Sequence, residues 1–192
     1  MNFDSVMLSY QDFKDRLLSV SDPQAQALFA VQYGAYARVG EIVRGRYKKN
    51  PPITINDIKD SAKFVDITIL TEKTYRQRFV PISKEIEGWL TNIILDWTEA
   101  TADIGREFLF PYSTWWAQKR FKKWFGTHKT HYLRHWATTH TLQGFRTDER
   151  LQPDEIARLG GWEDLNTFYK VYSHWSLEDI RHKIGKKEKG ID

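Results

Sequence analysis

The spacing of hydrophobic and polar residues predicts a mainly helical chain that is interrupted by one small sheet. Residues 10–18 have an amphipathic helical pattern, and Asp22-Pro23 is typical of the cap and proline start of a second helix. Apolar residues are too dense between residues 23 and 43 for an exposed helix, so we predict a buried central helix there. Gly34 predicts a break inside this helix.

Three short segments alternate between apolar and polar residues with the period of a strand. They are residues 53–55, 65–70 and 78–82. The polar residues 71–77 lie between the last two segments and predict a hairpin turn. We therefore expect a small three-stranded antiparallel sheet.

Helical patterns return after the sheet and continue along the rest of the chain. The predicted helices are residues 84–97, 115–125, 130–143, 153–159, 166–172 and 177–184, with a loop at residues 103–113. No internal repeat or interdomain linker is visible. The pattern predicts an α+β fold, mainly α, in a single domain over residues 1–192, with residues 176–192 as a C-terminal tail.

Composition narrows the class of protein. The 192 residues are 41% hydrophobic and 15% aromatic, which favours a folded chain with a sizeable core. The chain has no cysteine, which excludes disulfides, thiolate metal sites and a cysteine nucleophile. No apolar run reaches the length of a membrane helix, and the N-terminus lacks the pattern of a signal peptide. We expect a cytoplasmic protein.

Positive charge is concentrated in one part of the chain. The net charge is only +4, but residues 108–147 contain no Asp or Glu. The same window holds seven Lys and Arg residues, four of the six histidines and four of the eight tryptophans. Such a local field suits a polyanion such as nucleic acid, while the simpler alternative is a solvated basic helix face.

Candidate chemistry begins with His131 and Arg134, which share one face of a predicted helix because they are three residues apart. The planar fork of an arginine can hold two phosphate oxygens at once. His131 and His135 have the spacing of helical metal ligands, but Arg134 lies between them and no acid is nearby, so we do not expect a metal site.

A second arginine, Arg38, falls inside the predicted central helix and is followed three residues later by Glu41. A buried arginine needs an anionic partner or an anionic ligand. Glu41 could be a plain salt-bridge partner. Lys73 lies in the predicted hairpin turn, where a lysine is normally solvent-exposed.

Together these residues resemble the catalytic domain of the tyrosine recombinase (phage integrase) family. Arg38-Val39-Gly40-Glu41 resembles the first-arginine motif, and Lys73-Thr74 with the strand that follows resembles the hairpin of the catalytic lysine. His131-Tyr132-Leu133-Arg134-His135, followed by Ala137-Thr138, matches the second box closely. Leu159-Gly160-Gly161-Trp162 resembles the motif that ends in His or Trp, and Tyr172-Ser173-His174 resembles the nucleophile with its usual followers. The resemblance covers residues 9–175, in family order.

Two departures from the family pattern matter. The nucleophile usually lies nine residues after the His or Trp position, which is Val171 here; Tyr172 is one residue further, and Tyr169 is two short. We favour Tyr172 because Ser173-His174 follow it as in the family. Relatives also carry an N-terminal core-binding domain, and the chain starts too late to contain one, so we expect a catalytic fragment or a minimal enzyme.

The resemblance implies transesterification of DNA without a metal ion or other cofactor. The phenol of Tyr172 would attack a DNA phosphate, displace the 5′-hydroxyl and leave a 3′-phosphotyrosyl link. Lys73 would protonate the leaving oxygen, and His131 is a candidate base.

The resemblance also implies how charge on the phosphate is stabilised. Arg38 and Arg134 would bind the nonbridging oxygens, with His131 and the indole of Trp162 assisting. Glu41 and His135 would support these groups.

The expected partner is double-stranded DNA. Lys119, Lys122 and Lys123 are candidate phosphate contacts. We interpret Trp115, Trp116 and Trp124 as core residues rather than base-stacking ones. C-terminal tails of the family dock on a neighbouring protomer, so the resemblance implies self-assembly as a dimer or tetramer on DNA; the alternative is that the tail packs on its own domain.

Alternative functions use the same residues. A type IB topoisomerase would use a similar site to relax supercoils, although the short chain and the integrase-like second box disfavour it. A DNA-binding protein that has lost catalysis would explain the displaced tyrosine. A basic protein with no role on DNA would leave the combination of motifs unexplained.

Overall fold

The computed structural model describes residues 7–44, 51–72 and 74–172. Two compact units are distinguished, Met1–Gly161 and Trp162–Asp192, and they are described separately. The helices of the first unit are α1 (Tyr10–Leu18), α2 (Pro23–Gly34), α3 (Gly88–Asp103), α4 (Thr114–Phe125), α5 (His131–Leu142) and α6 (Pro153–Gly160). The second unit contains α7 (Leu165–Tyr172). The predicted helix at residues 177–184 lies outside the described residues.

The first two helices begin where their capping residues predict. The Ser9 hydroxyl accepts from the Asp12 backbone N–H at 3.1 Å, and α1 has the predicted bounds. The Asp22 carboxylate accepts from the Ala25 backbone N–H at 3.3 Å, and proline follows it at the start of α2.

The predicted helix over residues 23–43 is wrong in its second part. The chain leaves the helix at Gly34, the predicted break, and Tyr36 has a positive φ of 51° that a helix does not allow. A single 3₁₀ turn, Val39–Glu41, follows. Most of residues 35–43 are apolar and buried like α2, with Arg38 and Val39 as the half-buried exceptions, and burial alone does not distinguish a turn from a helix.

The sheet consists of β1 (Ile58–Asp60), β2 (Phe64–Leu70) and β3 (Gln77–Ser83), in that order and antiparallel. Pairing of Ile67 with Val80 and of Val65 with Ile82 places apolar side chains on one buried face. The predicted strand at residues 53–55 does not belong to this sheet: Thr54 forms only an isolated antiparallel bridge with Phe108, and β1 is the third strand. The Thr54 backbone N–H and hydroxyl both donate to the Asp57 carboxylate at 2.8 Å, which caps a 3₁₀ turn instead.

The later helices match the predictions to within a few residues, except that α3 runs from Gly88 to Asp103 rather than from about residue 84 to residue 97. Glu87 precedes α3 and is buried against Arg146, which fixes the start of the helix. The core of the first unit lies between α2, α3 and α5, and it is rich in stacked and edge-on aromatic rings, including Phe13 against Tyr33 and Phe29 against Phe121. Among the described residues, no helix has both the length and the hydrophobicity to cross a membrane.

Candidate active site

The turn after α2 carries Arg38. The side chain of Arg38 is 32% exposed, so the expectation of a buried arginine within a helix is wrong. Its backbone N–H donates to Glu41 Oε2 at 2.8 Å, and its Nη1 donates to Glu41 Oε1 at 3.1 Å. Glu41 therefore holds both the backbone and the guanidinium of Arg38, while part of the guanidinium remains accessible to a ligand.

The carboxylate that holds Arg38 is itself buried. Glu41 accepts from Arg38, from Arg78 Nη2 at 3.3 Å and from the Glu72 backbone N–H at 3.4 Å. Glu41 is the ion-pair partner that the sequence suggests, but it serves two arginines rather than one. Its negative charge lies under Arg38 and Arg78, away from the exposed face of the site.

Helix α5 supplies the second arginine and two histidines. Arg134 is buried, and its Nη1 donates to the backbone oxygen of Tyr36 at 2.9 Å, which is two residues before Arg38. His131 stands one turn earlier on the same helix, with its ring 4.5 Å from that of His135 and perpendicular to it. The two arginines are thus tied to the same short turn.

Both histidines are neutral near pH 7. Loss of hydration, the neighbouring His135 and the charges of Arg134 and Arg38 together lower the pKa of His131 to about 3, although the residue keeps an exposed edge. Burial and Arg134 lower the pKa of His135 to about 4. A neutral imidazole offers one donor and one acceptor, so His131 can donate a hydrogen bond to an oxygen while keeping a free lone pair.

Arg78, on β3, was missed as a site residue. Its Nη1 donates to the backbone oxygens of Ala35 and Leu159, both at 2.6 Å, in addition to the contact with Glu41. The signal was present in the sequence: Arg78 shares the inward register of β3 with Val80 and Ile82. A charged residue in a buried register needs a partner that pattern reading does not identify.

The second unit contains the other two predicted catalytic residues that the structure describes. The rings of Trp162 and Tyr172 meet edge to face with centroids 5.7 Å apart, and Phe168 contacts both. Tyr169 is 44% exposed. Ring packing does not identify a nucleophile, so the choice of Tyr172 over Tyr169 stays a prediction. Lys73 and Ser173-His174 lie outside the described residues, so their roles stay predictions.

Helix α4 carries the candidate DNA contacts. Lys119, Lys122 and Lys123 are all exposed, and the helix contains no acidic residue. Trp115 is 61% exposed, so the interpretation of this tryptophan as a core residue is wrong. The Lys119 Nζ lies 3.9 Å from the centroid of the Trp115 ring. The three lysines with Trp115 are called the α4 basic face below.

No protein-family model and no curated protein sequence matches the chain. Solved structures do match. XerA recombinase aligns with a TM-score of 0.70 at 17% identity, over 97% of this chain and 66% of XerA. XerH site-specific recombinase, solved with its difH substrate, aligns with a TM-score of 0.64 at 15% identity, over 96% of this chain and 55% of XerH. The catalytic domain of bacteriophage HP1 integrase aligns with a TM-score of 0.58 at 17% identity, over 95% of both chains.

The chain therefore has the fold of a tyrosine recombinase catalytic domain, which confirms the predicted α+β, mainly α, fold class. The structures that share this fold are site-specific recombinases and integrases, among them XerA, XerH and the HP1 integrase catalytic domain. The chain spans about half the length of XerH and nearly all of the HP1 domain.

Proposed function

We propose that this chain is a DNA strand transferase of the tyrosine recombinase type, which cuts and rejoins DNA through a 3′-phosphotyrosyl intermediate. One observation carries the proposal. Arg134 donates a hydrogen bond to the turn that carries Arg38, and the positive charges of both arginines lower the pKa of His131. Two guanidinium groups and a neutral imidazole at one place form a site for a phosphodiester, on a fold whose solved examples are recombinases and integrases.

In the proposed reaction the phenolate oxygen of Tyr172 attacks phosphorus, and the bond from phosphorus to the 5′ oxygen breaks. The DNA is left with a 3′-phosphotyrosyl ester and a free 5′-hydroxyl. Lys73 supplies the proton of that hydroxyl. A 5′-hydroxyl from a second DNA strand then attacks the phosphotyrosyl ester, which reverses the step and joins a new pair of ends. Because the ester keeps the energy of the broken bond, the two steps need neither a metal ion nor a nucleotide cofactor.

The phosphate is stabilised in the transition state by donors that are already in place. Arg38 and Arg134 bind the nonbridging oxygens, and the indole N–H of Trp162 and neutral His131 complete the set. The negative charge of the bound phosphate raises the pKa of His131 from the low value of the free protein, so the free nitrogen of His131 can accept the proton that the Tyr172 phenol loses.

The α4 basic face binds the DNA backbone in this proposal. Its lysines neutralise phosphates, so affinity decreases as salt increases. XerH and the Tn1549 transposon integrase were solved in complex with DNA, which supports duplex DNA as the partner. Assembly of two or four copies on the DNA remains part of the proposal.

The test is covalent trapping. Purified protein is incubated with supercoiled plasmid and with DNA from the flanks of its source element, in EDTA, and the products are separated on a denaturing gel. A protein–DNA adduct that disappears in Tyr172→Phe and persists in Tyr169→Phe supports the enzyme and its nucleophile. Loss only in Tyr169→Phe keeps the reaction and changes the nucleophile.

Non-denaturing gels of the same incubations distinguish the alternative functions. Relaxation of plasmids irrespective of sequence, without strand exchange, would favour a topoisomerase. A protein that shifts duplex DNA on a native gel but forms no adduct under any of these conditions would favour a binding protein without catalysis, and would contradict the proposal.

A further inference from the structure

Arg78 is a buried arginine that the proposed reaction does not use. It lies on β3, yet its guanidinium contacts three other parts of the first unit: the carboxylate of Glu41, the backbone oxygen of Ala35 after α2, and the backbone oxygen of Leu159 near the end of α6. A buried cation with acceptors from three elements holds those elements in register.

The first contact connects Arg78 to Arg38. Glu41 Oε1 accepts from Arg38 Nη1, and Oε2 accepts both from Arg78 Nη2 and from the Arg38 backbone N–H. If Arg78 were absent, Glu41 would keep one guanidinium partner instead of two and could turn toward it. The orientation of Arg38 therefore depends on Arg78 through a single shared carboxylate.

The second contact connects Arg78 to Arg134. Arg78 binds the backbone oxygen of Ala35, and Arg134 binds that of the next residue, Tyr36. Tyr36 has a positive φ of 51°, a conformation that surrounding contacts must maintain. The two arginines together hold this turn from successive carbonyl groups, and Arg38 follows two residues later.

Arg78 lies against Gly161, directly after α6. A Cβ atom added to Gly161 would lie 3.0 Å from Arg78 Cδ and 3.1 Å from Arg78 Nε, so this position leaves no room for a side chain beside Arg78. A lysine would keep the charge but not the planar fork that reaches Glu41 and two carbonyl groups at once.

We infer that Arg78 is a positioning residue of the active site, which sets Arg38 through Glu41 and sets the turn that Arg134 also binds. The inference rests on the proposed function for its effect on rate. The placement of Arg38 by Arg78 can be measured without any reaction.

The experiment compares Arg78→Met and Arg78→Lys with the wild type. Ile94→Ala serves as the control. Ile94 is buried in α3, which carries none of the proposed site residues, and its truncation lowers stability because it leaves a cavity.

DNA affinity and the rate of adduct formation are measured separately on the DNA site found by trapping. The rate is measured again on DNA with a methylphosphonate at the cleaved position, whose neutral methyl group replaces a charged oxygen. The arginine Nε–Hε resonances are recorded by NMR without DNA, with Arg38→Lys used for assignment.

We expect Arg78→Met to slow adduct formation by about 10²-fold, as for a misplaced catalytic group, with DNA affinity changed less than about threefold. Arg78→Lys should recover only part of the rate. The fold reduction in rate caused by Arg78→Met should be smaller on methylphosphonate DNA, because the neutral group leaves less negative charge for Arg38 to stabilise. In the NMR spectra of Arg78→Met, the Arg38 Nε–Hε resonance should move or broaden. Ile94→Ala should show none of these changes.

A rate for Arg78→Met that matches Ile94→Ala at equal stability, or an unchanged Arg38 resonance, would overturn the inference. If the wild type forms no adduct, the proposed function fails by itself. The Arg38 resonance then decides the inference alone: movement in Arg78→Met supports positioning by Arg78, and no movement overturns it.

Discussion

The ion pair of Glu87 with Arg146 provides the sharpest stability prediction. Both side chains are buried; Arg146 Nε donates to the two carboxylate oxygens of Glu87 at 3.0 Å, and Nη2 lies 2.9 Å from Oε2. Arg146 Nη2 also donates to the backbone oxygen of Gly34 at 3.2 Å, and the guanidinium stacks on the rings of Tyr33 and Tyr36 at 4.5 and 4.6 Å. Replacing Glu87 with leucine leaves this cation buried with no anion.

The expected cost follows from that burial. Removing one partner of a buried ion pair destabilises a protein by about 3–5 kcal/mol, a large part of the ~5–15 kcal/mol by which domains are stable. Arg146→Met should cost a similar amount, because it leaves the Glu87 carboxylate buried. The double variant Glu87→Leu/Arg146→Met leaves neither charge, so it should cost about 2 kcal/mol less than the sum of the single variants.

The measurement is the free energy of unfolding in urea, followed by tryptophan fluorescence, for the four members of the cycle. The control is the exposed pair Asp154–Arg158, at 3.9 Å with side chains 45% and 83% exposed, where Asp154→Asn should change stability by less than about 0.5 kcal/mol. A Glu87→Leu cost below about 1 kcal/mol, or strictly additive single effects, would refute the reasoning.

Three further predictions concern pH, backbone geometry and DNA. Burial lowers the pKa of His140 from the ordinary 6.5 to about 4. The neutral His140 ring therefore stabilises the fold fully above pH 6.5, and the free energy of unfolding falls by about 1.4 kcal/mol per pH unit as pH drops from 6.5 toward 4. Urea titrations at several pH values should show a weaker pH dependence in His140→Gln. Gly161 and Gly144 both have positive φ, but only Gly161 has Arg78 against the position of a Cβ, so Gly161→Ala should lower the melting temperature more than Gly144→Ala. Lys119→Ala should reduce the slope of log affinity against log salt by about 0.9 in DNA-binding titrations, and an unchanged slope would remove Lys119 from the interface.

Regular elements were predictable where one local signal decides the structure. The Asp22 cap with its proline gives the start of α2, and alternation gives β2 and β3 nearly to the residue. The alternation failed at residues 53–55, where a local hydrogen bond limits the strand. The Thr54 backbone N–H donates to Asp57 and caps the 3₁₀ turn that follows, so only an isolated bridge from Thr54 to Phe108 forms there.

In the candidate site, too, features set by local spacing were predictable and features set by distant residues were not. His131 and Arg134 were predictable as neighbours because helical spacing alone puts them on one face. The surroundings of Arg38 were not, since the turn that carries it is stabilised by Arg78 and Arg134, which lie 40 and 96 positions further along the chain. No local pattern contains that information, and dense apolar composition made the turn resemble a helix.

The charge balance of the site explains why a buried carboxylate belongs beneath two arginines. Glu41 and Arg78 form an ion pair beneath the site, so the arginine charges placed to reach a phosphodiester are those of Arg38 and Arg134, and the neutral histidines add none at pH 7. Two positive charges are more than the single negative charge of one phosphodiester, but they match the second negative charge that develops as the phenolate adds. In the proposed reaction the site therefore favours the transition state over the bound substrate, which is the condition for rate enhancement. By the same argument, Glu41 keeps the guanidinium groups of Arg38 and Arg78 close together without binding the phosphate in their place.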